Sequence, residues 1–136
     1  MHVDCSMREQ LNSLTEQIIG AALSVHRELG PGMLEKAYER CLAFELADRG
    51  LHLERQKTLP LSYKGIRLNC GYRIDLLVED LVVVEVKSIE RLERVHSAQV
   101  LSYLRMLKRS VGLVINFNVQ WLVRDGIRRI VNDFPE

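Results

Sequence analysis

Leu81-Val82-Val83-Val84-Glu85-Val86-Lys87 reads as a core strand with two charges inside it. Its β-branched apolar residues run without alternation, the pattern of a strand covered on both faces. Glu85 and Lys87 stand two apart and share one face. Burying a charge is costly unless it is paired, hydrogen-bonded or bound to a metal. Ten positions before Glu85, Asp75 interrupts a second apolar run, Ile74-Asp75-Leu76-Leu77-Val78. Two neighbouring strands that each carry an acid, one with a lysine two residues on, point to metal-dependent phosphodiester chemistry. The bland alternatives are a buried Glu–Lys ion pair, or a strand end where both charges reach water.

Register decides whether such a site assembles. A two-residue loop at Glu79-Asp80 sets Asp75 opposite Val84 and turns the two carboxylates to opposite faces. A three-residue loop, Glu79-Asp80-Leu81, or a bulge pairs Val78 with Val82 and Asp75 with Glu85. The chemistry therefore predicts the odd loop, although the local sequence favours the tighter turn. Magnesium takes oxygen ligands, often one or two carboxylates completed by water. Asp75 and Glu85 offer carboxylates and the Val86 carbonyl a further oxygen. Lys87 is placed to orient or deprotonate a water.

The flanking sequence supplies the rest of an α/β fold. Ser13-Leu14-Thr15-Glu16 matches a capping box, so a helix is expected from Ser13, with Ile18, Ile19, Ala22, Leu23 and Val25 on its apolar face. Gly30-Pro31-Gly32 ends it. A second helix is expected from about Leu34 to Arg49, with Leu34, Tyr38, Cys41 and Leu42 as its stripe and Gly50 after its end. A strand from Leu53 to Tyr63 is interrupted by Pro60, the mark of an edge or a bulge. Lys64-Gly65 turns the chain. Tyr72–Val78 and Leu81–Lys87 form the hairpin, Val95–Lys108 a third helix, and Val111–Phe117 a buried strand. Asp125-Gly126 offers a last short hairpin between Trp121–Val123 and Ile127–Val131. The order ααβββαββ predicts a mixed sheet with helices on both faces.

The 136 residues suit one domain, placed at 13–136 behind a loosely held tail at 1–12. Nineteen basic and 18 acidic residues give a net charge of +1, which excludes a protein held to nucleic acid by overall charge. Arg91, Arg94, Arg105, Lys108 and Arg109, and separately Arg124, Arg128 and Arg129, are local basic clusters or solvated faces. Cys5, Cys41 and Cys70 lack metal-ligand spacing, so neither a disulfide framework nor a zinc site is expected. No signal peptide or membrane-length apolar run is present, and a soluble cytoplasmic protein is expected. His26, His52 and His96 are read as packed or solvated, and Phe117 and Trp121 as core.

The arrangement Asp75…Glu85-Val86-Lys87 resembles the D…(D/E)-x-K signature of the PD-(D/E)XK nuclease superfamily, with Ile74 where a proline is usual. Gly32-Met33-Leu34-Glu35-Lys36-Ala37-Tyr38 is similar to the G-x-x-E-x-x-Y motif that names the GxxExxY proteins, a small group within that superfamily. Gln99-Val100-Leu101-Ser102-Tyr103 resembles the Q-x-x-x-Y element of its RecB-like and lambda-exonuclease-like branches. The resemblance covers roughly residues 13–131. It implies a restriction-endonuclease-like core, and a Mg2+-dependent nuclease (Mn2+ as substitute) acting on DNA or RNA. It implies that Glu35 reaches the metal or its water shell, and that Gln99 contacts Lys87 or a substrate phosphate. Tyr103, on the same helix face as Gln99, is a phosphate donor or a core residue. Tyr38 is structural, and Gly32 sets the loop before its helix. A binding or regulatory module with weak or lost activity is the alternative. A homodimer is expected to help grip a long polymer.

Overall fold

The computed structural model describes residues 6–135. Helix α1 spans Met7–Leu29 and α2 spans Glu35–Asp48. Ser6 caps α1, its hydroxyl accepting from the Glu9 N–H at 3.1 Å. The helix thus begins well before Ser13, and residues 7–12 are helical rather than a tail. Leu11 explains the extension, because it and Leu14 are buried in the core that α1 shares with α2 and the sheet. Burying that extra turn outweighs a local capping box; Thr15 instead donates back to the Asn12 carbonyl at 3.0 Å. Residues 1–5, which include Cys5, lie outside the described residues.

Gly30 closes α1 with a φ of 66°, its N–H returning to the His26 carbonyl. Tyr38 then clamps the loop. Its hydroxyl donates to the Gly30 carbonyl and accepts from the Met33 N–H, while its ring stacks on Phe117 at 4.5 Å. The stripe of α2 is Tyr38, Leu42 and Leu46, flanked by Glu39 and Ala43. Leu34, expected on that stripe, is the exposed N-cap residue instead.

Five strands follow: β1 Leu53–Tyr63, β2 Ile66–Val78, β3 Val82–Lys87, β4 Val111–Asn116 and β5 Ile127–Val131, with α3 Arg94–Leu107 between β3 and β4. They line up in the order 1-2-3-4-5. All neighbours are antiparallel except β3 and β4, which the α3 crossover makes parallel. Pro60 sits on edge strand β1 at the register shift between Leu59 and Leu61. β2 begins six residues before Tyr72, because the chain turns tightly at Lys64-Gly65 and pairs at once. Trp121–Val123 does not form a strand. Leu122–Gly126 makes a turn of π-helix that leaves Trp121 exposed, and β5 pairs directly with β4.

Helices cover both faces of the sheet. Leu14, Ile18, Leu42 and Leu46 of α1 and α2 pack on Leu76, Val84, Val86 and Leu113. Val100, Tyr103 and Leu104 of α3 pack on Leu59, Ile74, Leu77 and Val83 on the other side. This is the α/β, restriction-endonuclease-like layering expected.

Candidate active site

The turn between β2 and β3 satisfies both local and global demands. Glu79 and Asp80 both take left-handed φ, 53° and 55°, and the Leu81 N–H closes on the Val78 carbonyl at 2.9 Å. That is the tight two-residue turn. The ladder nevertheless pairs Val78 with Val82, Leu77 with Val83 and Leu76 with Val84. Leu81 is the extra residue, and the register places Asp75 opposite Glu85.

At that level the strands part, and side chains replace the backbone ladder. The Asp75 N–H donates to Glu85 Oε1 at 3.0 Å, and the Val86 N–H donates to Asp75 Oδ2 at 2.8 Å. Each carboxylate therefore occupies the fork and satisfies the opposite strand. The irregularity is visible in packing. Ile74 belongs to the α3 core and Leu76 to the core beneath α1 and α2, although two residues apart they should share a face. The chain turns over at Asp75, opposite Gln56, itself held at a left-handed φ of 53°.

Burial raises the pKa of both acids. Desolvation pushes Glu85 up to about 8, and the Asp75 charge adds to it; Lys87 opposes both. Asp75 is raised first by burial, then by Glu39, against the lowering hydrogen bonds from Val86 and Gln56. Lys87 makes no ion pair with either acid, so the plain buried Glu–Lys bridge is not what the sequence encodes here. Its backbone is fixed instead. The Lys87 carbonyl accepts from the Phe117 N–H, and buried Asn116 bonds both the N–H and the carbonyl of Ile89.

The other expected residues gather less tightly. Exposed Glu35 accepts from the Ser88 N–H at 3.3 Å, one residue beyond Lys87, while the Ser88 hydroxyl donates to the Met33 carbonyl. These contacts tie the start of α2 to the end of β3. Gln99 donates to the Tyr103 hydroxyl at 2.9 Å rather than to Lys87. Tyr103 packs in the α3 core, its pKa raised by burial and then by Glu85. His26 meets the Val119 carbonyl and His96 completes the cap of α3, so neither enters the fork.

Two participants had not been read from the sequence. Glu39 is buried on α2 and ion-paired to Arg55 at 3.2 Å. The Gln56 amide bridges Glu39 Oε1 at 2.6 Å and Asp75 Oδ1 at 3.3 Å. Glu39 was legible as an acid inside the Tyr38–Leu42 stripe; Gln56 carries no local signal.

Two desolvated carboxylates that no cation among the described residues salt-bridges form a hard-oxygen donor set that suits a divalent cation. Among the described residues no group of three or more His, Cys, Asp or Glu side chains assembles as a metal cage, so water and backbone oxygen would complete the shell.

The fold is of the restriction-endonuclease-like class. The model of the PD-(D/E)XK nuclease superfamily matches residues 12–130, and the chain belongs to that superfamily. No curated protein and no solved structure matches it. No helix among the described residues is long and apolar enough to cross a membrane.

Proposed function

We propose that this chain is a magnesium-dependent nuclease, with manganese as a substitute, that hydrolyses phosphodiester bonds of DNA, with RNA as the alternative substrate. We assign it to the GxxExxY group, close to the RecB-like and lambda-exonuclease-like branches. Its setting is cytoplasmic and its working form a homodimer. The observation that carries the reading is the fork, where Asp75 and Glu85 meet with raised pKa values and Lys87 has no ion-pair partner among the described residues.

Asp75, Glu85 and the Val86 carbonyl would hold the cation, and Glu35 would act through its water shell. When bound, the cation supplies neutralisation of charge developing on the phosphate oxygens. Lys87, a cation beside the two acids, orients the attacking water, whose proton leaves to solvent. Gln99 and the Tyr103 hydroxyl stand on the α3 side to donate to a phosphate. The buried walls of the fork keep these contacts in low dielectric.

Thermal unfolding with magnesium or manganese tests the site. The wild type gains stability, and Asp75→Asn or Glu85→Gln removes the gain; no gain in the wild type would end the reading. Cleavage assays on single- and double-stranded DNA and RNA then follow, with Lys87→Ala as the variant. Loss of cleavage with the metal response retained supports chemistry at Lys87. Metal binding without cleavage by the wild type would favour the binding-module alternative.

A further inference from the structure

The hairpin of β1 and β2 runs well past the helices. Residues 62–73 are all exposed, and they belong to neither core. From Asp75 to the turn at Lys64-Gly65 is about 25–30 Å of strand. The cross-strand pairs sort its two faces. Leu59 with Tyr72, Leu61 with Leu68 and Tyr63 with Ile66 share one face; Thr58 with Arg73 and Ser62 with Arg67 share the other. Gly71, at a φ of 80° with its N–H bonded to Asn69 Oδ1, takes up the bulge that keeps this segregation.

Its charge is one-sided. Residues 57–73 hold Lys57, Lys64, Arg67 and Arg73 and no acid, in a chain whose net charge is only +1. Lys57 is tied to Glu54, but no ion pair among the described residues engages the other three. By contrast Arg109 and Arg124, from the basic clusters prominent in the sequence, are bound to Asp80 and Asp125. The hairpin also leads into the fork. The Tyr72 ring lies edge-on to Tyr103 at 6.3 Å, and Arg73 is two residues from Asp75.

We infer that this hairpin is an arm that binds a polynucleotide, with Arg67 and Arg73 on one face and Lys64 at the tip taking backbone phosphates. The inference rests on the nuclease reading for its substrate class. Each strand of duplex DNA carries one phosphate per about 3.4 Å of helix axis, so the arm spans about eight base pairs. Lys64, Arg67 and Arg73, in no ion pair among the described residues, complement that charge, with Lys64 resting over the Tyr63 ring at 5.5 Å. An apolar face alone would fit another protein, but the opposed basic face would then be left without a role.

Fluorescence anisotropy with a labelled 16-base-pair DNA in EDTA separates binding from cleavage. The triple variant Lys64→Ala/Arg67→Ala/Arg73→Ala is expected to bind at least about tenfold more weakly at low salt and to lower the log–log salt slope by about three. A matched triple on the helices, Arg8→Ala/Arg27→Ala/Arg40→Ala, is expected to change binding little. Equal losses in both triples, or none in the arm triple, would overturn the arm. Ile66→Ser/Leu68→Ser with sedimentation tests the rival: a dimer that dissociates while DNA affinity is untouched would make the arm a protein interface. The magnesium-induced thermal shift should survive in the arm triple. If the wild type binds DNA through the arm but shows no such shift, the nuclease reading fails and the arm stands.

Discussion

Glu85 is where pH acts on this protein. Its folded-state pKa is about 8 against 4.5 for the free group, so the folded state holds a proton that the unfolded chain releases. A raised acid stabilises below its unfolded pKa, and that contribution is lost as pH rises from about 4.5 to about 8. The slope cannot exceed about 1.4 kcal/mol per pH unit for one proton. Urea unfolding without metal should therefore show falling stability across that window. Glu85→Gln should flatten the fall, and an unaltered profile in that variant would assign the proton elsewhere. Gln56 is the second residue to test. Its amide separates two buried acids while its backbone sits in a conformation that costs about 1–3 kcal/mol. Gln56→Ala leaves Asp75 Oδ1 and Glu39 Oε1 without that donor, and a loss of about 1–3 kcal/mol is expected in denaturant unfolding. An unchanged midpoint would mean that water replaces the bridge. Asp75, Glu85 and Lys87 were readable from the sequence because each breaks an apolar run. Gln56 was not, since it stands among Glu54, Arg55 and Lys57, where a polar residue is unremarkable.

Elements were legible where a local rule and the core agreed. The Pro60 edge, the buried strand at Val111 and the odd hairpin register all follow from patterns that burial reinforces. The Ser13 capping box misled because Leu11 extends the apolar face beyond it, and Asp125-Gly126 misled because a turn signal does not specify which strand it serves. The π-helical turn uses Gly126 for space, since a Cβ there would strike the Asn116 carbonyl. A similar closeness governs β4 under α3. A Cβ on Gly112 would lie 2.7 Å from Val100 Cγ1 and 3.1 Å from the Val83 carbonyl. Gly112→Ala must push α3 off the sheet or shift β4, and overpacking of this kind costs about 1–3 kcal/mol. Calorimetry should show a lowered Tm. Gly112→Ala/Val100→Ala should recover part of it, and no recovery would place the strain in the Val83 backbone contact.

At the scale of the whole molecule, the fork takes a wall from each layer. Glu39 and Glu35 come from α2 on one face of the sheet, while Gln99 and Tyr103 come from α3 on the other. The element order alone could predict two covered faces. It could not predict that the sheet would open between β2 and β3, because the opening depends on side chains bonding across strands. Since the two acids close that gap only at a cost in desolvation, a divalent cation should stabilise the entire fold rather than a loop. Binding confined to the folded state adds about 2.7 kcal/mol at a hundred times Kd. Hydrogen exchange should then slow in amides of β2, β3 and β4 together, up to about a hundredfold where exchange requires global opening. Asp75→Asn should abolish this protection throughout. Protection limited to residues near the β2–β3 turn would instead mean that the fork opens alone, with its two layers uncoupled.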